Sequence, residues 1–123
     1  MSPVNFRILC VDEYGYTCEM LNAILGSRGY EAKVARDFSE AVRCINTEEF
    51  DLYVIENPLP DGAGLQFCKF LRGSFPGSTV IFYPINPFEP TCSEALEADA
   101  DSWIPNNGNI FQLAEAILRS SRK

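Results

Sequence analysis

Three carboxylates carry the strongest case for chemistry in this sequence. Asp12 and Glu13 follow the apolar run Phe6 to Val11, and Glu56 follows the run Leu52 to Ile55. Both runs are short and stop abruptly. Pro58 and Pro60 close the second, because proline donates nothing to a sheet ladder. A carboxylate at the carboxyl end of a central parallel strand stands where open α/β sheets place their ligand sites. In a sheet of order 2-1-3-4-5 the two runs are neighbours, so Asp12, Glu13 and Glu56 converge on one mouth. Oxygen ligands gathered in that way suit a hard divalent cation such as Mg²⁺.

Other chemistries find little support. The chain has no histidine, and its five cysteines (Cys10, Cys18, Cys44, Cys68, Cys92) are far apart with no CxxC pair. Zinc sites and Ser/His or Cys/His nucleophilic pairs are therefore disfavoured. Cys18, Cys44 and Cys68 fall within helical apolar patterns and read as reduced core thiols. Net charge is −7 and the ten basic residues are scattered, so this domain is not expected to bind nucleic acid directly. No apolar run approaches the roughly 20 residues of a membrane helix. Met1-Ser2-Pro3-Val4-Asn5 lacks the features of a signal peptide, which places the chain in the cytoplasm with no membrane partner.

The elements that must position the carboxylates alternate strictly. Phe6–Val11 reads as strand 1. From about Tyr16 the period becomes helical, with Thr17, Cys18, Leu21, Ile24 and Leu25 on one face and Gly29 as the stop. Glu31–Ala35 is strand 2. Asp37-Phe38-Ser39-Glu40 has capping-box spacing and opens helix 2, whose stripe is Phe38, Ala41, Val42 and Ile45. Strand 3 is Leu52–Ile55. Leu65, Cys68 and Leu71 mark helix 3, which ends near Gly73. Thr79–Tyr83 is strand 4. Thr91-Cys92-Ser93-Glu94 caps a short helix 4 through about Ala98, and Ser102–Ile104 is strand 5. Asn109 with Gln112 caps helix 5, with stripe Ile110, Leu113, Ala114 and Ile117. Five strand–helix units imply a doubly wound α/β fold, a parallel sheet covered on both faces. The 123 residues are expected to form a single domain over 1–123.

The loops choose among such folds. The stretch after strand 1, Asp12-Glu13-Tyr14-Gly15-Tyr16, has no GxGxxG, and the chain holds no Gly-Lys-Ser/Thr for a P-loop. A flavin mononucleotide site wants a Ser/Thr/Gly-rich first loop, and this one is acidic and aromatic. Three further stretches are informative: Phe50-Asp51-Leu52 leading strand 3, Pro60-Asp61-Gly62-Ala63-Gly64-Leu65 after it, and Ala98-Asp99-Ala100-Asp101-Ser102-Trp103-Ile104 entering strand 5. With Ile8-Leu9-Cys10-Val11-Asp12-Glu13, in this order and spacing, the chain resembles the receiver domains of bacterial two-component response regulators. The resemblance covers nearly the whole chain and implies a five-stranded parallel sheet of order 2-1-3-4-5, the (βα)5 flavodoxin-like receiver fold.

In that family an aspartate ending strand 3 accepts a phosphoryl group from a histidine kinase, and the acidic pair after strand 1 holds Mg²⁺. A Ser or Thr ending strand 4 and a Lys ending strand 5 contact the phosphoryl, and an aromatic on strand 5 changes rotamer. The resemblance puts Asp12 and Glu13 at the acidic pair and Glu56 at the phosphoacceptor. The extra methylene of Glu moves the carboxylate by more than about 1 Å, and misplacement on that scale costs on the order of a hundredfold in rate. Pro84, which has no hydroxyl, takes the Ser/Thr position. Asn106 takes the Lys position, or Ile104 if Pro105 matches the proline that usually follows the Lys. Trp103 fills the aromatic position. Three changed positions imply a degenerate receiver, a pseudo-receiver, that is not an enzyme and has no catalytic residue.

The expected function is two-component (phosphorelay) signal transduction through protein–protein contact, without normal phosphorylation. The partner is a histidine kinase, an output or effector protein, or a second copy. The resemblance points to the helix 4–strand 5–helix 5 face, where Phe111 and Leu118 widen the apolar stripe beside Trp103. Phe67 and Phe70 on helix 3 raise the same question. Two alternatives stand beside this reading. One is a working phosphoacceptor using Glu56 or another side chain, with Mg²⁺ held by Asp12, Glu13 and Glu56; the other is a small-ligand module using the acidic mouth. The prolines Pro84, Pro87 and Pro90 read as a locked loop.

Overall fold

The structure is a computed structural model, which describes residues 5–56, 59–61, 64–84, 100–106 and 109–121. The strands are β1 (Phe6–Val11), β2 (Tyr30–Ala35), β3 (Leu52–Ile55), β4 (Thr79–Phe82) and β5 (Ser102–Trp103). The helices are α1 (Tyr16–Leu25), α2 (Phe38–Thr47), α3 (Gly64–Ser74) and α4 (Ile110–Ser121), with a 3₁₀ turn at Gly26–Arg28. α4 is the fifth helix of the sequence-based expectation. The expected helix over 91–98, and the Pro87 and Pro90 part of the loop, lie outside the described residues.

All strand pairings are parallel, and the order is β2-β1-β3-β4-β5. Alternation along each strand sends its side chains to two separate cores. Ile8, Cys10, Leu52, Val54 and Ile81 pack with Cys18, Leu21 and Leu25 of α1 and Leu113 and Ile117 of α4. Leu9, Val11, Tyr53, Ile55, Val80 and Phe82 pack with Ala41 and Ile45 of α2 and Phe67, Cys68 and Leu71 of α3. The central strand β3 is buried along its whole length, which explains its unbroken apolar sequence.

Local signals act as the sequence predicts at several junctions. Asp37 caps α2, its carboxylate accepting from the Glu40 amide at 2.7 Å. Gly29 ends the α1 segment with φ 85°, a left-handed conformation that glycine adopts without penalty. A second cap on α2 comes from another loop. The Asp61 carboxylate accepts from the Phe38 amide at 2.7 Å and from the Ser39 amide and hydroxyl. These donors hold the Asp61 carboxyl below its usual range. Asp101 similarly accepts from the Val80 amide at 2.7 Å and pairs with Arg72 at 2.5 Å, joining the entry of β5 to β4 and α3.

One expectation is corrected here. Phe67, raised as a partner-facing candidate, is fully buried, its ring edge-on to Phe38 at 5.2 Å. The reason is the rotation of α3. Its buried positions are Gly64, Phe67, Cys68 and Leu71, spaced i, i+3, i+4 and i+7, which leaves Leu65 at the margin. Gly64 sets that rotation, because a Cβ there would lie 2.4 Å from the Glu56 carbonyl oxygen. Phe70 is half-buried beside Phe67 and Phe38. Gly64→Ala should therefore force α3 away from the end of β3 and lower stability by roughly 1–3 kcal/mol, measured by urea unfolding. An unchanged midpoint would mean that α3 has slack at its first turn.

Candidate functional site

The site is built where the strands end. The ladders of β1, β3, β4 and β5 continue one residue further: the amides of Asp12, Glu56, Tyr83 and Ile104 donate to Ala35, Val11, Ile55 and Phe82 carbonyls at 2.9 to 3.0 Å. Asp12 and Glu56 thus leave adjacent strands from fixed backbone positions. Both side chains are buried, at 2 % and 4 % exposure.

Asp12 is committed to the loop that follows it. Its Oδ1 accepts from the Tyr14 amide at 3.1 Å and its Oδ2 from the Thr17 amide at 2.9 Å. This closes a tight turn from β1 into α1, with Gly15 at φ 79° and the Arg36 guanidinium lying over it. Arg36 also donates to the Glu13 carbonyl at 3.1 Å. The Glu13 side chain is half-exposed, outside the buried pair.

Glu56 has few partners. The Thr17 hydroxyl approaches its Oε1 at 3.5 Å, a long contact, and its Oε2 is buried with no hydrogen-bond partner. Burial and then the neighbouring Asp12 carboxylate push Glu56 up to about 9, with the charge of Glu13 adding to the same effect. Only the Thr17 hydroxyl pulls the other way. Glu56 is therefore a neutral carboxylic acid at pH 7, able to share its proton with Asp12. Tyr83, buried beneath, is raised by burial and then by the charge of Glu56.

Asp12, Glu13 and Glu56 do not gather into one ligand set: among the described residues, no group of three or more His, Cys, Asp or Glu is placed to hold a metal ion. Sequence reasoning placed Thr17 on the buried face of α1 without giving it a role. A hydroxyl set in an otherwise apolar stripe directly after the acidic loop was the available signal.

A family model for the response regulator receiver domain matches residues 8–118. The chain belongs to the response regulator receiver domain family. The response regulator PilR of Pseudomonas aeruginosa is 27 % identical over 116 residues, covering 94 % of this chain and 26 % of that protein. MprA of Mycobacterium tuberculosis is 28 % identical over 116 residues, covering 94 % of this chain and 49 % of that protein. The chain therefore spans about a quarter to a half of the length of these curated relatives. A CheY-like receiver domain protein from Methanospirillum hungatei has a TM-score of 0.84 at 28 % identity, with 94 % of this chain and 93 % of that one covered. The five-stranded parallel order matches the receiver fold. Receivers are signalling modules that work with kinases and effectors.

In this receiver, Pro84 is buried just beyond β4, and Asn106 is half-buried beyond β5. Ile104 belongs to the core beside α1 and α4, so its side chain serves packing. Trp103 is half-buried against the opposite core, with Leu9, Val80 and Phe82. Phe111, at the start of α4, is 67 % exposed, whereas Leu118 packs partly into the core. The two residues proposed to widen one apolar face thus differ in burial. Among the described residues no helix is long and apolar enough to cross a membrane.

Proposed function

We propose that this receiver signals through protein contacts and has lost ordinary phosphoryl switching at strand β3. The observation that carries this reading is Glu56: a buried acid with an orphaned Oε2, raised to about 9 and so neutral at pH 7. A neutral carboxylic acid is a poor nucleophile toward a phosphoryl group. By the family resemblance, Pro84 supplies no hydroxyl and Asn106 no ammonium to the transferred group, and such charge stabilisation is usually the largest catalytic contribution. A neutral Glu56 also carries no charge with which to imitate a phosphorylated aspartate. The domain on this reading rests in one state and presents a fixed surface, with a histidine kinase, an effector or a second copy as the partner. The exposed Phe111 and the half-buried Trp103 belong to the face the resemblance favours.

A second reading keeps phosphoryl acceptance with Mg²⁺, and the orphaned Oε2 beside Asp12 is the observation in its favour. One experiment separates the two. The chain is incubated with a small-molecule phosphodonor and Mg²⁺ and its intact mass recorded. An unchanged mass is expected, and a stoichiometric gain of one phosphoryl group overturns the pseudo-receiver reading.

A further inference from the structure

A hollow of about 590 Å³ opens at the amino end of the sheet, between the α2–β3 loop and the turn from α3 into β4. The four residues of β3, at about 3.3 Å each, put it roughly 13 Å from the acidic mouth. Both of its walls are pinned. In the α3–β4 turn the Ser78 amide donates to the Phe75 carbonyl at 3.0 Å, and the Arg72 guanidinium donates to the Pro76 and Ser78 carbonyls. Across from it the Asp51 amide donates to the Arg7 carbonyl at 2.8 Å, and the Asp51 carboxylate accepts from the Arg7 amide at 2.7 Å. Buried Ile45 and Tyr53 line the hollow between these walls. Phe75 lines it too, 39 % exposed and outside both cores.

The hollow is acidic as well as aromatic. Glu48, Glu49 and Asp51 line it and, among the described residues, no Lys or Arg does. The neighbouring cations are already paired: Arg7 with Glu48 at 2.7 Å and Glu31 at 3.3 Å, and Lys33 with Glu48. Two cations thus face four carboxylates, and the excess falls on the exposed Glu49 and Asp51. These two also line a smaller hollow alongside, of about 400 Å³. The same corner already holds one guanidinium in the manner an incoming one would use. Arg7 lies 4.9 Å over the Phe50 ring while bonded to Glu48 and to the Glu49 carbonyl. Aromatic faces beside carboxylates suit a planar guanidinium better than a compact ammonium. We propose that this groove docks an extended, arginine-bearing segment of a partner protein, with one guanidinium over Phe75 and beside Glu49. Side chains two apart on an extended segment share a face, which matches the alternate carboxylates Glu49 and Asp51. The net charge of −7 steers a basic segment toward the domain. This docking rests on the reading that the receiver signals through protein contacts.

The test titrates the isotope-labelled full chain with an end-blocked Arg-Leu-Arg tripeptide and follows the amide NMR shifts. Saturable shifts are expected at Glu48 to Asp51 and at Ser74, Phe75, Gly77 and Ser78, with Asp12 and Glu56 unmoved. A Glu-Leu-Glu tripeptide should shift nothing, and Lys-Leu-Lys should bind more weakly than the arginine peptide. Phe75→Ala and Glu49→Gln, both at exposed positions, should each weaken binding about twofold to fivefold, the exposed-site effect of a cation on a ring or beside a carboxylate. The absence of saturable shifts up to about 10 mM tripeptide overturns the proposal, as do shifts centred on another face or equal binding of the lysine peptide. Agmatine, a free guanidinium, binding as tightly as the tripeptide also overturns it, by making the groove a small-cation site. The titration of the unaltered chain decides by itself if either variant does not fold. A phosphoryl gain in the intact-mass experiment would overturn the protein-contact reading without altering this titration, so the two failures are distinguishable.

Discussion

Glu56→Gln is expected to stabilise the domain by about 3 kcal/mol at pH 7 and by almost nothing near pH 4. The folded protein raises Glu56 from 4.5 to about 9. A group raised on folding gives its full contribution below its unfolded value and loses it as pH climbs to the folded one. For Glu56 the window runs from about 4.5 to about 9, so the domain weakens across it. At pH 7 the protein must keep a proton that the unfolded chain has released, at a cost near 1.4 kcal/mol per unit. Glutamine carries the neutral shape permanently. Its amide nitrogen can donate to Asp12 and its oxygen can accept from Thr17, so the cost disappears. Urea unfolding of both proteins from pH 4 to 9 measures the difference, and other titrating groups cancel in it. Parallel stability curves would show that Glu56 is ionised in the folded domain.

Phe67→Ala should cost about 3–5 kcal/mol, the range for truncating a fully buried aromatic. Phe67 is completely buried, with Phe38 edge-on at 5.2 Å and Phe70 at 6.1 Å. Against a total stability of about 5–15 kcal/mol for a domain of this size, the loss is a large fraction. Were Phe67 instead a surface residue awaiting a partner, the change would stay within about 0.5 kcal/mol. Thermal unfolding distinguishes these outcomes directly.

The contrast between Phe67 and Glu56 explains what was legible in the sequence. Strand ends and helix starts depend on short-range patterning, and Phe6–Val11, the Asp37 cap and Gly29 all carried it, whereas the sheet order came from the family resemblance. The rotation of a helix about its own axis is less visible. Leu65, Cys68 and Leu71 made a plausible stripe for helix 3; Cys68 and Leu71 keep it, but the close approach between Gly64 and the backbone of Glu56 goes with Gly64 and Phe67 on the buried side and Leu65 at the margin. For the site, type and spacing found Asp12, Glu13 and Glu56. They did not show that Asp12 would spend its oxygens on the Tyr14 and Thr17 amides. Nor did they show which hydroxyl Glu56 would meet, since Thr17 is 39 residues away in the chain. Such pairings are properties of the assembled sheet end rather than of any local window.

The Asp61 cap has a consequence for hydrogen exchange. The first amides of a helix have no acceptor within it and ordinarily exchange with solvent early. In α2 the Phe38 and Ser39 amides are bonded to Asp61 and the Glu40 amide to Asp37. All three should exchange slowly for a helix start, and the first two only while the segment after β3 stays docked. Deuterium uptake at Phe38 and Ser39 therefore reads the position of a loop to which neither residue belongs. A partner that displaces Asp61 would be heard there, on a neighbouring helix, as faster uptake at two amides and unchanged uptake at the third.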